Sequence, residues 1–431
     1  MRLHLRRRSL AGALVLLAGS ALALTAGPAS SAAGFQFVRH AGADRYGTAA
    51  TIARAAFASA DNVVLASGAP RSFPDALTGN YLAGIGQGPV LLTTPGALPQ
   101  VTREALRALQ AKRVFVIGGP AAVSSAVEAD LRGSGYTVER LGGGDRYATA
   151  ELVVKRVASV PTNLGTIAGE RTAILGSGQD FPDILAGGPL SWSQRFPLTI
   201  TRPDALPSDT RDVLVDLQIR HVVIVGGARA VSAAVETEVR GLGVATVTRL
   251  AGADRAETAV RIAEFAYSSL GYDAAHVDLA RSDGFADALA AGPHAGRERS
   301  PILLTTPTAL SPVTRDLLAA RSAALTSGHV FGGDVAVSSA VVTAAVVAGT
   351  GTAPVPEPTA RPTPSPSPTP TIPPEPPPTT PPTTPPPTTP PPEPVPTTPP
   401  PEPPPVEEPP PPTDPVVLRI ATSSFHDSRI P

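Results

Sequence analysis

The string GADRYGTA at residues 42–49 returns as GGDRYATA at 143–150 and as GADRAETA at 252–259. Three further strings follow each copy in the same order. They are FPDAL (73–77), FPDIL (181–185) and FADAL (285–289); PVLLTTPGALP (89–99), PLTITRPDALP (197–207) and PILLTTPTALS (301–311); and VFVIGGPAAVS (114–124), VVIVGGARAVS (222–232) and VFGGDVAVS (330–338). A period of roughly 100 residues suits a small domain rather than a solenoid repeat. The sequence therefore predicts three similar domains.

Each copy alternates short apolar runs with longer helical patterns. In the first copy, strands are predicted at 35–39, 63–66, 90–93 and 114–117, with helices at 45–58 and beginning near residues 74, 99 and 124. The predicted strands are continuous runs of Val, Ile and Leu, which is typical of parallel sheets buried on both faces. Strand–helix alternation of this kind predicts an α/β fold with mostly parallel sheets and right-handed crossovers.

The boundaries between the copies are tight. After the last helix of copies one and two, a further strand is predicted at 137–141 and 246–250, and it leads directly into the next GxDR string. The third copy has no such exit strand, so we expect its final strand to be weaker. We place the domains at 34–136, 137–245 and 246–353 and expect the copies to pack closely, with sharing or exchange of a strand between them.

Both ends of the chain differ from this core. Residues 1–33 have the order of a secretory signal peptide, with arginines, an apolar run at 10–24 and small residues, and cleavage is predicted after Ala33. Sec and twin-arginine export both stay open. Of the 52 prolines, 34 lie at 354–415, which predicts a disordered, semi-rigid polyproline spacer. Residues 416–431 have no predicted role.

Composition excludes several classes of function. The core carries 28 basic and 28 acidic residues, and a neutral core argues against binding to nucleic acid. No later apolar run is long enough to span a bilayer, so no membrane contact is expected after signal cleavage. The absence of Cys excludes a disulfide framework, a thiolate nucleophile and a Cys-ligated metal.

No standard catalytic or cofactor motif recurs in the core. GxSxG, GxGxxG and Walker spacings are absent, as are calcium loops of alternating acids. No His is common to all three copies, and we align His221 and His329 with the strand entry at which Arg113 stands. We therefore expect a protein that is not an enzyme, with no cofactor and no bound metal.

One Asp-Arg pair is repeated in each copy. The Asp is placed to cap a helix, with ligand contact as the alternative. The Arg follows at a helix N-terminus, where the helix dipole disfavours a cation. We therefore expect it to pair with the Asp of an FPDAL-type string across a domain junction, or to bind an anionic ligand. The residues are Asp44, Asp145 and Asp254; Arg45, Arg146 and Arg255; and Asp75, Asp183 and Asp287.

The four strings together resemble the type-two cell wall-binding repeat of secreted Gram-positive surface proteins, over residues 39–345. The resemblance implies three Toprim-like α/β domains in a pseudo-threefold arrangement within one monomeric chain. It also implies non-catalytic, non-covalent retention at the cell wall through an anionic secondary cell wall polymer or a peptidoglycan-linked glycopolymer.

The resemblance attributes binding to grooves near the domain junctions and to a P-[IVL]-L-[LI] string. That string stands here at 89–92 and 301–304, while residues 197–200 depart from it as PLTI. Its apolar side chains favour a buried strand, so we expect any polymer contact at its exposed end. The end residues are Thr93, Thr94, Arg202, Thr305 and Thr306. A wall-associated hydrolase that uses the Asp residues at the junctions is the alternative function.

Overall fold

The computed structural model describes residues 34–70, 73–179 and 182–351. The predicted signal peptide, the proline-rich spacer and residues 416–431 lie outside this part of the chain. Within it, no helix is both long and apolar enough to cross a bilayer.

Strands and helices alternate along the whole described chain. The first group is β1 (Gln36–His40), α1 (Arg45–Ala56), β2 (Asn62–Ser67), α2 (Phe73–Leu77), α3 (Gly79–Gly86), β3 (Val90–Thr93), α4 (Gln100–Ala108), β4 (Arg113–Ile117), α5 (Ser125–Gly133) and β5 (Thr137–Leu141). The second is α6 (Arg146–Ala158), a 3₁₀ turn (Pro161–Asn163), β6 (Thr166–Ile167), β7 (Glu170–Ser177), α7 (Pro182–Leu185), α8 (Gly188–Gln194), β8 (Leu198–Thr201), α9 (Ser208–Asp216), β9 (His221–Val225), α10 (Ala233–Gly241) and β10 (Thr246–Leu250). The third is α11 (Arg255–Ser269), β11 (Asp278–Arg281), α12 (Ala286–Glu298), β12 (Ile302–Thr305), α13 (Pro312–Ala320), β13 (Ser327–Phe331) and α14 (Ser339–Thr350).

These strands form three sheets with one shared topology. The orders are β3-β2-β4-β5, β8-β7-β9-β10 and β12-β11-β13-β1, and the second sheet also carries the short strand β6. Every pairing is parallel except that of β6 with β7. The apolar runs are buried, as at Val90, Leu91 and Leu92, which are 0% exposed. The predicted α/β class, with mostly parallel sheets in repeated units, is confirmed.

The first strand of the chain completes the last sheet. β1 runs beside β13 in a register that begins at Gln36 and Ser327 and ends at His40 and Phe331. It thereby takes the place that β5 and β10 hold in the other two sheets. The third copy needs no exit strand of its own because the N-terminal strand fills that position.

The predicted boundaries at residues 137 and 246 place each exit strand with the repeat that follows it, whereas the sheets place it with the repeat that precedes it. β5 pairs with β4 of the first sheet, and β10 pairs with β9 of the second. The helix that follows each exit strand packs on the next sheet, as α6 does on β8 and α11 on β12. Each crossing from one domain to the next therefore occurs within the GxDR loop.

Three equivalent helices meet where the domains join. α12 packs against both α3 and α8, and α3 packs against α8. Close approach there requires glycine, since a Cβ added to Gly292 of α12 would lie 2.2 Å from Oδ1 of Asn80 in α3. These helices place the three domains around a common centre, which is the predicted pseudo-threefold arrangement.

Candidate functional site: grooves at the three domain junctions

The repeated Asp residues cap the helices α1, α6 and α11. Asp44 Oδ1 accepts a hydrogen bond from the backbone N of Gly47 at 2.8 Å. Asp145 Oδ1 accepts from the backbone N atoms of residues 147 and 148 at 2.9 Å, and Asp254 Oδ1 accepts from that of residue 257 at 2.8 Å. Capping satisfies N–H groups that have no intrahelical acceptor. The capping interpretation is thus confirmed in each copy.

The repeated Arg residues fasten each helix start to the end of a strand. Arg45 Nη1 donates to the carbonyl oxygen of Gly68, beyond β2, at 2.7 Å. Arg255 Nη1 donates to that of Ser282, beyond β11, at 2.7 Å, and Arg146 bonds Gly178 in the same way beyond β7. All three arginines are half-buried. One donor of each arginine is therefore engaged inside its own domain.

An acid from the preceding domain shares a groove with each of these arginines. Asp75 lies at the junction with Arg146, and Asp183 lies at the junction with Arg255. The third junction closes the ring, because Asp287 from the last domain lines a groove with Arg45 from the first. The Asp-Arg combination that the sequence repeats is thus assembled between domains.

Burial governs the ionisation of these acids. It raises the pKa of Asp75, against the opposing charge of Arg146 and a hydrogen bond from Thr149. It raises the pKa of Asp287 to about 6, although the charges of Arg281 and Arg45 act in the other direction. At these two acids, the loss of solvation destabilises the carboxylate more than the nearby guanidinium groups stabilise it.

The first glycine of each Gly-Gly pair allows the Asp of the FPDAL-type string to approach the backbone of the turn. Gly118, Gly226 and Gly332 have φ of 98°, 112° and 108°, a conformation that residues with a Cβ rarely adopt. A Cβ at these positions would lie 2.8, 2.9 and 2.6 Å from Oδ2 of Asp75, Asp183 and Asp287. The Gly-Gly turn and the FPDAL-type acid therefore form one packed unit at each groove.

The three grooves differ in size and charge. Their volumes are about 720 Å³ between domains three and one, 570 Å³ between one and two, and 410 Å³ between two and three. The charged lining is Asp44, Arg45, Arg281, Asp283, Asp287 and Asp334 in the first; Asp75, Asp145 and Arg146 in the second; and Asp183, Arg229, Asp254 and Arg255 in the third. Only the groove between domains two and three balances its acids with equal numbers of arginines.

The ends of the P-[IVL]-L-[LI] strings lie outside these linings. Thr93 and Thr305 are 0% exposed, so the expectation that they are exposed is wrong. Each donates its hydroxyl to its own turn, to the carbonyl oxygens of Ala97 and Ala309 at 3.1 and 2.8 Å. The buried hydroxyl closes the turn instead of facing solvent.

The neighbouring residues of these turns are more accessible. Thr94 and Thr306 bond the same Ala97 and Ala309 carbonyl oxygens, at 2.7 and 2.9 Å. Arg202 is exposed and its guanidinium carbon lies 4.8 Å from the centre of the Tyr147 ring. Arg202 is the charged residue among the predicted string ends, and its side chain is exposed.

A second repeated arginine was missed in the sequence. It stands in each exit strand and binds the carbonyl oxygen of the first glycine in the adjacent Gly-Gly turn, at 2.8, 2.7 and 2.9 Å for Arg39, Arg140 and Arg249. The available signal was its constant place five residues before the repeated Asp. These arginines hold the turn that the junction acid packs against.

One sequence alignment is corrected by the strand register. His221 and Arg113 begin their strands opposite Thr246 and Thr137, whereas the equivalent residue opposite Gln36 is Ser327. His329 lies two residues further along β13. The shortened VFGG string displaced the alignment of the third copy.

Comparisons with known proteins agree with the repeat structure. The family model described as Cell wall binding domain 2 matches residues 39–128, 140–236 and 249–342. The chain is 26% identical over 303 residues to the N-acetylmuramoyl-L-alanine amidase LytC of Bacillus subtilis, covering 70% of this chain and 56% of that protein. It is 29% identical over 282 residues to the Amidase enhancer of the same organism, covering 64% and 36%. The chain therefore spans only part of each of these relatives.

Solved structures share the fold. Cwp6 from Clostridium difficile superposes with a TM-score of 0.65 at 22% identity, covering 73% of this chain and 48% of that one. Cwp8 from the same organism gives a TM-score of 0.64 at 24% identity, covering 74% and 52%. At these levels of identity, both likenesses show the fold alone.

Proposed function

Because the chain belongs to the Cell wall binding domain 2 family, we propose that it is a non-catalytic, monomeric protein of the cell surface that is held at the wall by an anionic glycopolymer. The observation that carries this proposal is the threefold recurrence of one groove, built each time from a capped helix start, an arginine and a Gly-Gly turn. A polymer with a repeating unit offers a matching set of contacts.

The balance of charge favours one groove for anion binding. Between domains two and three, Arg229 is exposed at the rim and adds to the half-buried Arg255. Guanidinium groups bind phosphate and carboxylate through paired N–H donors. The groove between domains three and one carries four acids against two arginines, so it favours neutral sugar units or requires that its acids be protonated. We propose that the second and third domains supply the strongest contact with polymer anions.

Several weak sites on one rigid body give strong retention. Once one groove is engaged, the others meet neighbouring polymer units at a high effective concentration, so overall binding exceeds that of any single groove. The central packing of α3, α8 and α12 keeps the grooves at fixed separations. This arrangement supports attachment without a covalent bond.

The hydrolase alternative rests on one observation, the buried Asp287 with its pKa raised to about 6. A carboxyl with that pKa is suited to proton transfer near neutral pH. Binding and hydrolysis differ in whether wall material enters solution.

Co-sedimentation of the full chain with purified Gram-positive walls separates the two functions. We expect the protein in the pellet and no time-dependent release of reducing sugar or free amino groups, with Asp287→Asn pelleting to at least the same extent. Release that depends on wild-type protein and stops in Asp287→Asn would establish hydrolysis instead. A chain that stays in the supernatant contradicts wall binding altogether.

A further inference from the structure

Three histidines from separate elements converge inside the third domain. His40 ends β1, His329 lies in β13 and His294 lies in α12. One nitrogen from each lies within 4.8 Å of those of the others. His40 and His294 are 8% and 2% exposed, and His329 is partly exposed. The group therefore has a buried interior and one side that solvent can reach.

The equivalent positions of the other two domains are apolar. Strand register and the aligned FPDAL-type strings match the three histidines with core residues in each case. These are Leu141, Leu82 and Phe115 in the first domain and Leu250, Leu190 and Val223 in the second. Apolar side chains are therefore sufficient to fill this part of the core in the first two domains. In the third domain, three histidines occupy the same positions.

Ring nitrogens of the three histidines face one another. His329 Nε2 lies 2.9 Å from Oε2 of Glu298, a contact that the N–H of this nitrogen satisfies and that leaves Nδ1 unprotonated in the neutral ring. His329 Nδ1 in turn lies 2.8 Å from Nε2 of His40. His294 Nδ1 is buried and has no hydrogen-bond partner. An unsatisfied buried nitrogen costs free energy unless another group occupies the space beside it.

A carboxylate also lies beside this cluster, where Oε2 of Glu298 faces His329. Glu298 supplies the carboxylate–histidine contact that commonly orients a metal-binding ring.

We propose that His40, His294 and His329 bind one divalent transition-metal ion of the Zn²⁺ class, with solvent in the remaining position. Zn–N bonds of about 2.0–2.1 Å place tetrahedral ligand nitrogens roughly 3.3 Å apart. His40 Nε2 and His329 Nδ1, 2.8 Å apart here, would move slightly apart, while ligand nitrogens that are up to 4.8 Å apart would move together. His40 then carries its proton on Nδ1. Because its ligands come from β1, α12 and β13, the ion joins the N-terminal strand to the third domain and closes the ring of domains.

Metal titration of the untagged, chelator-treated full chain tests this proposal. We expect one Zn²⁺ per chain by calorimetry, a higher midpoint of thermal unfolding, and the visible absorption of tetrahedral Co²⁺ when cobalt is added instead. His294→Leu introduces the residue found at the two equivalent positions, so its core should still pack. We expect this variant to bind Zn²⁺ at least about 100-fold more weakly, and Glu298→Gln to lose about 10- to 100-fold.

His276→Asn is the matched control, because His276 lies outside the trio and is a third exposed on its side chain. It should retain wild-type stoichiometry, affinity and thermal shift. The proposal is overturned if wild-type protein binds no Zn²⁺, or if folded His294→Leu binds it as tightly as wild type. If His294→Leu fails to fold, His40→Leu takes its place under the same criteria.

Discussion

Arg39 Nη1 donates to the carbonyl oxygen of Gly332 at 2.8 Å, across 293 residues of sequence. Its Nη2 donates to the carbonyl oxygen of Val337 at 2.8 Å. The equivalent arginines of the other exit strands, Arg140 and Arg249, are reinforced by Glu128 and Glu236, at 2.8 Å in each case. The third domain has Val342 in place of that glutamate, and the exposed Asp334 at 3.8 Å is a weak substitute. Arg39 therefore reinforces the closure of the ring by β1 mainly through its two backbone contacts.

Arg39→Met should weaken this closure. Two hydrogen bonds from a charged donor are lost, so we expect a decrease of about 2–3 kcal/mol in the free energy of unfolding. Hydrogen exchange should accelerate in β1 and β13 but not in β4, because only the third sheet is opened. Arg54→Met, at an exposed position of α1, should leave both stability and exchange unchanged. Equal acceleration in β4 would show that Arg39 does not act locally.

Adjacent glycines provide a test of the Gly-Gly turn. Gly226→Ala places a Cβ 2.9 Å from Asp183 Oδ2 at a φ of 112°, and should cost about 1–3 kcal/mol in the free energy of unfolding. Gly227→Ala should be close to neutral, since no atom lies within 4 Å of the added Cβ. Denaturant titration measures both. Equal losses of stability in the two variants would contradict the close packing of the Gly226 turn against Asp183.

The raised pKa of Asp287 predicts a pH-dependent stability. The folded state holds this proton up to about pH 6, above the ordinary value of 3.8 for the unfolded chain, so its stability contribution declines as pH rises between these values. Asp287→Asn should therefore be more stable than wild type at pH 7.5, by up to about 3 kcal/mol. The difference should shrink below pH 4. Urea titrations at pH 7.5 and 4 compare the two proteins, and a difference that is independent of pH would contradict the assignment.

The same acid should influence binding. Protonation of Asp287 leaves two arginines against three acids in the groove between domains three and one. We expect retention on walls to increase between pH 7 and 5.5 in wild-type protein, and to vary less in Asp287→Asn. Sedimentation at several pH values measures this. Identical profiles for the two proteins would exclude Asp287 as the source of the dependence.

Substitution of Arg229 should change wall affinity without changing stability. Its side chain lies at the rim of the groove between domains two and three, so Arg229→Ala should reduce wall affinity by about fivefold, or about 1 kcal/mol for one exposed charge contact. The unfolding midpoint should not change. Arg54→Ala removes the same charge at an exposed position of α1 that lines none of the three grooves, and it should not affect affinity. Similar losses in both variants would indicate a general charge effect.

The regular elements were predictable because local signals agreed. The strands at 90–93, 137–141 and 246–250 have the predicted bounds, since each run ends at a turn or close to a glycine. Asp44 and its equivalents were recognised as helix caps from position alone. The pairing of β1 with β13 could not be read in the same way, because no local feature of residues 36–40 says which of three similar sheets they complete.

The candidate site was predictable only in part. Repetition identified the arginines and acids, but the string ends were misjudged because nothing in the sequence shows that Thr93 and Thr305 turn inward. The histidine trio escaped notice for a different reason. A search for residues shared by all three copies passes over a feature built in one copy, from elements that begin and end the core.

Retention on walls with and without their anionic polymer decides whether the chain binds that polymer. Purified walls are divided, one half is stripped of anionic secondary polymer, and the full chain is sedimented with each over a range of concentrations. We predict that wild-type protein binds intact walls and loses most of this binding on stripped walls, while added soluble polymer releases it from intact ones. Undiminished binding to stripped walls would show that the anionic polymer is not what holds the protein.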